Sequence, residues 1–316
     1  MKRYPLALFS LFAITLACPE SVFSQNQRKV GPAPATLPGA TTEIYKTVGD
    51  VSLPLHIFSP EGIKPGQSRP AIVFFFGGGW RSGSPAQFTH HCQYLASRGM
   101  VAITVEYRVS GRHGTQAIAC FQDAKSAMRY VRSNAKRLGI DPDRVAAGGG
   151  SAGGHLAGAL GTIDGLDDPH DNLSVNAVPN ALCLFNPALV VAPVEGKFPM
   201  PQERIASLGE RMGVSPKKLS PYHNVGKGQP PTIIFHGDAD TTVPIESAKI
   251  FAEKSQAKGN RCELVSYAGQ PHGFFNYGRG DNSMFIATVT EMDRFLSSLG
   301  YLKGKPRVEK FLVSLN

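Results

Sequence analysis

Hydrophobic and polar positions first become regular at EIYKTV (43–48) and VSLPLHIF (51–58), two short segments suited to an antiparallel hairpin. The turn-rich stretch EGIKPGQSRP then delivers the chain into AIVFFF (71–76), whose unbroken apolar character fits a strand covered on both faces. From there strand and helix patterns alternate. A helix is expected over 85–98, VAITVEY makes a second buried strand, and Phe121, Ala124, Ala127, Met128, Val131 and Leu138 recur at helical spacing. Lys125, Arg129, Arg132 and Lys136 fall outside that stripe, so one long surface helix is predicted there. A short strand VAAGG leads into SAGGHLAGAL, whose small residues allow close helix packing. ALCLFNPALV, TIIFHG and CELVSYAG supply further strands, with helices expected near 245–258 and 283–299. This succession predicts an α/β chain with a mostly parallel central sheet and helices on both faces. The Pro- and Gly-rich segment 190–229, around a helix at QERIASLGERM, reads as an excursion shaping the mouth of a site.

The two ends change the picture of where the domain lies. Lys2 and Arg3 precede the apolar run LALFSLFAITLA, and Val22 and Ser24 stand at small-residue cleavage positions, so residues 1–24 read as a signal peptide of a secreted or periplasmic protein. Cys18 offers the rival of a lipid-anchored envelope protein. The apolar run is too short for a membrane span, and no later segment supplies one. Residues 25–40 form a Pro-rich flexible lead-in, 41–303 the main folded domain, and 304–316 a tail that frays or adds an edge strand.

The formal charge of +9 does not come with a dense basic block, zinc-finger spacing or aromatic–basic interleaving, which argues against nucleic acid as a partner. Cys92, Cys120, Cys183 and Cys262 allow three full disulfide pairings among which the sequence does not choose, and they form no Cys/His cluster of metal-binding spacing.

Candidate chemistry sits at strand ends. Gly149-Gly150-Ser151-Ala152-Gly153 fits G-x-S-x-G where a strand feeds a helix, the sharp turn that raises a serine hydroxyl above a sheet. Gly77, Gly78 and Gly79, followed by Trp80, end the AIVFFF strand and can expose main-chain amides. The N–H groups of Gly78 or Gly79 and of Ala152 are therefore candidates to hold an oxyanion. A serine hydroxyl needs a base, and His272, in a loop after a predicted strand, has the best setting of the nine histidines. His155 reads as a helix-face residue and His236 as one that orders its loop, while His90, His91, His113, His170 and His223 suit surface or substrate-side positions. Asp238 and Asp240 share the loop after TIIFHG, and spacing alone does not separate them as the partner of the histidine. Trp80 and Asn186 are weaker candidates for the substrate wall, with packing and turn formation as the alternative.

FFFGGGW, VEYRV, LGIDPDRVAAGGGSAGGHLA, HGDADTTVP and GQPHGFF together resemble the hormone-sensitive-lipase-like and carbohydrate-esterase-like branch of the α/β-hydrolase superfamily, from about residue 50 to 299. The resemblance implies Asp240 as the acid of a Ser151–His272–Asp240 triad and Asp238 as a loop-structuring residue. Phe76 stands where that family often has a histidine, which implies altered loop support. It also implies a serine esterase working through an acyl-enzyme without metal or organic cofactor. An exported chain with a modest excursion resembles bacterial esterases that remove acetyl or feruloyl groups from xylan and related polysaccharides. The alternatives are a general short-chain carboxylesterase, a prolyl-oligopeptidase-like peptidase, for whose extra domain 25–70 leaves no room, and a non-catalytic binding protein on the same fold.

Overall fold

A computed structural model describes Met1 and residues 30–63 and 66–315. The leader at 2–24, Cys18 and the first part of the lead-in lie outside the described residues. The strands are β1 (Thr41–Val48), β2 (Val51–Phe58), β3 (Arg69–Phe75), β4 (Val101–Val105), β5 (Ile140–Gly150), β6 (Leu182–Phe185), β7 (Thr232–Gly237) and β8 (Cys262–Tyr267). They form one sheet in the order β1-β2-β4-β3-β5-β6-β7-β8. β2 pairs antiparallel with both neighbours and every other pair except β1–β2 is parallel, so β2 alone runs against the rest. This is the expected α/β-hydrolase architecture.

β3 explains why continuous apolar runs become central strands. Ala71, Val73 and Phe75 face one core while Ile72 and Phe74 face the other, all fully buried. The first core is closed by α3 (Ala117–Ser133), α5 (Ala152–Leu160) and α7 (Glu246–Ala257), which contribute Phe121, Leu156 and Phe251. The second lies under α1 (Thr89–Ser97) and α8 (Ser283–Ser298), which contribute Leu95, Phe285 and Val289. Burying one such large side chain stabilises the fold by about 1.5–3 kcal/mol.

Three expectations are corrected. The long helix stops at Ser133: Asn134 leaves helical geometry, its side-chain amide donates to the Tyr130 carbonyl at 2.9 Å, and a separate turn α4 (Ala135–Leu138) follows after the short α2 (Ser110–His113) and α3. Its polar face is only partly solvated, since Lys125 and Arg129 are buried and paired with Asp167, and Arg129 also with Asp171, while Arg132 and Lys136 reach solvent. The tail is neither frayed nor an edge strand. It contains α9 (Val308–Val313), because Val308, Phe311 and Leu312 repeat at helical spacing and Phe311 packs edge-on to Tyr94 with centroids 5.5 Å apart. All four cysteines of the described residues are free and buried, so the cores hold without a disulfide.

The excursion leaves the sheet after β6 and returns at β7, carrying α6 (Gln202–Met212) as the sequence predicts. Leu208 and Met212 anchor it to the first core. Among the described residues no helix is long and apolar enough to cross a membrane.

Candidate active site

β5 runs into α5 through Ser151, whose φ of 54° is unusual for a residue with a side chain and costs strain that the surrounding contacts must hold. The Ser151 N–H donates to the Phe185 carbonyl at 2.9 Å, and its own carbonyl accepts from His155 at 2.9 Å and Ala188 at 3.2 Å. Gly153 is required here: a Cβ on it would lie 2.0 Å from the Phe75 carbonyl oxygen, so only glycine lets α5 sit this close to β3.

The glycine turn after β3 lies beside this elbow. Gly78, at φ 124°, closes a turn whose carbonyl accepts from Arg81 and Ser82, both at 3.1 Å, and a Cβ there would meet the Ser82 carbonyl. The Gly77 N–H is held by Gln87 Oε1 at 2.6 Å. Among the described residues the N–H groups of Gly78, Gly79 and Ala152 make no hydrogen bond, which leaves three amides free for an anionic oxygen. Phe76 supports the turn in place of the family's histidine. Its ring stacks on Tyr107 at 4.0 Å, and the Tyr107 hydroxyl donates to the Phe76 carbonyl at 2.6 Å.

The third component comes from the loops after β7 and β8. Asp240 is buried, and its Oδ1 accepts the N–H groups of Thr242 and Val243, each at 2.9 Å. Its Oδ2 lies 2.6 Å from His272 Nδ1 and 3.4 Å from His236 Nε2. Burial alone would raise this carboxyl, but the hydrogen bonds from His236, His272 and Val243 outweigh it and hold the group well below the usual carboxylate range. Asp238 instead accepts the Gly269 N–H at 2.6 Å, the loop-structuring position expected of it. His236, buried, also reaches the Val243 carbonyl at 2.8 Å and so orders its loop.

Two residues join the loop that carries His272 to the surroundings of the serine elbow. Asn186, directly after the Phe185 that holds Ser151, accepts the Gly273 N–H at 2.8 Å. Gln87 bridges the glycine turn to the histidine loop by donating to Asn276 Oδ1 at 2.9 Å. The Ser151 hydroxyl and His272 Nε2 themselves make no hydrogen bond among the described residues. Sites of this kind often complete that contact only in the substrate complex. Asn186 is corrected from substrate wall to support: it is 1% exposed, and its side-chain atoms bond Gly273 and the Phe185 carbonyl. Gln87 carries no motif and was missed; its only signal is position, ten residues past Gly77 at the start of the helix after the glycine turn.

A pocket of about 290 Å³ opens over Ser151, walled by Gly79, Trp80, Val190, Val191 and the inner face of α6. Trp80 does form part of the wall, edge-on to His155 at 5.0 Å. His155 is buried with Nε2 on the Leu219 carbonyl at 2.7 Å, and burial lowers its pKa to about 4. His91 is corrected from a surface position: it is fully buried among Phe88, Phe185 and Phe285, and burial lowers its pKa to about 3. A larger groove of about 830 Å³ beside α9 gathers none of these groups, so size does not mark the site. Among the described residues no cluster of His, Cys, Asp or Glu is disposed to hold a metal ion.

Comparison with known proteins agrees with this arrangement. The BD-FAE family matches residues 55–255, and the dienelactone hydrolase family matches 212–300. Among curated relatives, esterase LipC of Mycobacterium tuberculosis is 28% identical over 222 residues, 66% of this chain and 54% of LipC. The chain spans about half the length of the curated relatives it matches. Esterase 2 of the planctomycete Thermogutta terrifontis is 49% identical, with a TM-score of 0.81 over 85% of this chain and 96% of that one. Forms of that esterase bound to butyrate (49% identity, TM-score 0.81) and phosphorylated by paraoxon (47%, 0.79) match equally, each over 85% of this chain and 97% of the other. With the BD-FAE match spanning more than half of its length and the Ser151 elbow at its centre, the chain belongs to the BD-FAE family and has the α/β-hydrolase fold.

Proposed function

We propose that this protein hydrolyses short-chain carboxylic esters through an acyl-enzyme on Ser151. What supports the proposal is that the loops at the carboxyl ends of β3, β5, β7 and β8 carry a strained serine, three unengaged amides and an imidazole held 2.6 Å from a buried carboxylate, with Asn186 and Gln87 fastening the histidine loop beside the serine elbow. In the first half-reaction His272 Nε2 takes the Ser151 proton as the oxygen attacks the ester carbonyl. Asp240 fixes the imidazole with its proton on Nδ1 and stabilises the cation that forms. The oxyanion falls among the Gly78, Gly79 and Ala152 amides, at the positive end of α5. The imidazolium then protonates the departing alcohol, and water repeats the sequence on the acyl group.

The short acyl preference is supported by a pocket of only about 290 Å³ and by the butyrate and propionate complexes of the Thermogutta esterase. The polysaccharide-borne ester expected from the sequence is the narrower reading, and a panel separates the two. Comparing p-nitrophenyl acetate, butyrate and decanoate with acetylated xylan and methyl ferulate should give the highest kcat/KM on acetate or butyrate. A higher value on acetylated xylan or ferulate would replace that assignment. Covalent labelling by a fluorophosphonate probe, lost in Ser151→Ala, tests the nucleophile itself. Export through the leader at 1–24 belongs to the same proposal, and the mass of protein recovered outside the cytoplasm, with residues 1–24 removed or a lipidated Cys18 retained, checks it.

A further inference from the structure

The acyl pocket is charged in a way that plain short-chain esters do not use. α6 turns one face to it, placing Arg204, Ser207, Leu208 and Arg211 in the wall at helical spacing. Neither arginine has a carboxylate partner among the described residues. Arg211 lies over the Trp80 ring at 5.3 Å and donates one N–H to the Gly79 carbonyl, while its Nε is buried without a partner. The Arg204 side chain makes no hydrogen bond or ion pair among the described residues. Arg81, on the glycine turn, adds a third positive charge close enough to act on Arg211. Burial, then Arg81 and Arg204, lowers the Arg211 pKa. The two α6 carboxylates, Glu203 and Glu210, are exposed and outside the pocket lining.

Like charges gathered without counter-ions destabilise a free protein, and a guanidinium offers a planar fork of donors suited to a carboxylate. The position says which part of the substrate would carry that charge. The leaving alcohol must lie on the His272 side, because the imidazolium protonates it. His272 does not line this pocket, whereas Ser151, Ala152 and Gly79 do. The pocket therefore takes the acyl portion.

Resting on the esterase reading above, we propose that Arg204 and Arg211 select esters whose short acyl chain ends in a carboxylate, the half-esters of small dicarboxylic acids. Hydrolysis would release the dicarboxylate and the alcohol, with water as the only co-reactant.

The test compares the mono-p-nitrophenyl ester of glutaric acid with p-nitrophenyl pentanoate, which has a methyl group in place of the terminal carboxylate, each corrected for its uncatalysed rate. At low ionic strength the wild-type protein should favour the glutarate ester in kcat/KM by about tenfold. The ratio should shrink in about 0.5 M salt as the charges are screened. Arg204→Gln should bring the ratio near one and Arg204→Glu below it. Arg204 is only half-buried on α6, and thermal unfolding of both variants verifies that they fold. Pentanoate turnover with a wild-type ratio at or below one overturns the proposal and leaves the esterase standing. A glutarate preference unchanged in Arg204→Glu removes these arginines from it. If neither ester is turned over and the fluorophosphonate probe does not label Ser151, the esterase reading falls and this one with it.

Discussion

On the His272 side of the site nearly every polar atom is matched. Asp240 receives bonds from Thr242, Val243, His236 and His272, and Asn186 and Gln87 fasten the loop that carries the base. On the α6 side the wall joins apolar residues and the Ser207 and Thr242 hydroxyls to guanidiniums that have no carboxylate partner among the described residues. Groups that must hold one geometry through a reaction are over-determined by hydrogen bonds. Groups that meet a variable substrate keep donors unengaged, so that binding can satisfy them.

The largest expected effect breaks the matched side at its centre. Ser151→Ala should lower kcat by about 10⁶-fold with an unchanged thermal midpoint, followed by ester hydrolysis and differential scanning. Asp240→Asn keeps the shape but changes what His272 Nδ1 can meet, and should lower kcat by about 10⁴-fold. Asn186→Ala should act more gently, by about ten- to a hundredfold in kcat/KM, because the Gly273 amide is released while the base stays in reach. It should also cost about 1–3 kcal/mol in urea unfolding. A variant with normal turnover would show that Asn186 stabilises the loop without positioning the base.

The smallest effect separates the two sides from beneath. His91 packs against Phe275 under the histidine loop, and His155 against Trp80 under the acyl wall. Both have pKa values lowered by burial, to about 3 and about 4, so between those values and the usual 6.5 the unfolded chain binds more protons than the folded one. Stability is therefore lost as pH falls below about 6.5, by on the order of 2 kcal/mol per histidine at pH 5. Urea unfolding at pH 7 and pH 5 reads this loss. His91→Phe, which suits the aromatic surroundings, should remove about half of it. An identical pH dependence in that variant would discount His91.

What the sequence made legible follows from how local each cause is. The central strands declare themselves as apolar runs because both faces are covered, and the elbow does so because Gly153 is demanded by a backbone contact 2.0 Å away. α6 was visible over its whole length from amphipathic spacing. α9 was not, because Lys and Pro around Val308 obscure three apolar positions whose value depends on Tyr94, more than two hundred residues away. Asn186 was open to reading as substrate wall or as packing, and the sequence could not decide because its partner, Gly273, is fixed only by the fold. His91 looked like a surface residue beside His90, and only the meeting of α1 with Phe185 and Phe285 buries it. Arg204 and Arg211 acquire a place at the site only where the excursion lays that face of α6 over Ser151.

The excursion departs after Phe185 and rejoins before Thr232, and those same two strands remain paired from Leu182 with Thr232 to Phe185 with Phe235. Lengthening, shortening or exchanging the insert beyond Ala188 shifts no register in the sheet and leaves in place Asn186 and Ala188, which hold the histidine loop and the Ser151 carbonyl. A change of diet for this scaffold thus requires rewriting a single surface insert, while the reacting atoms stay in an inherited frame.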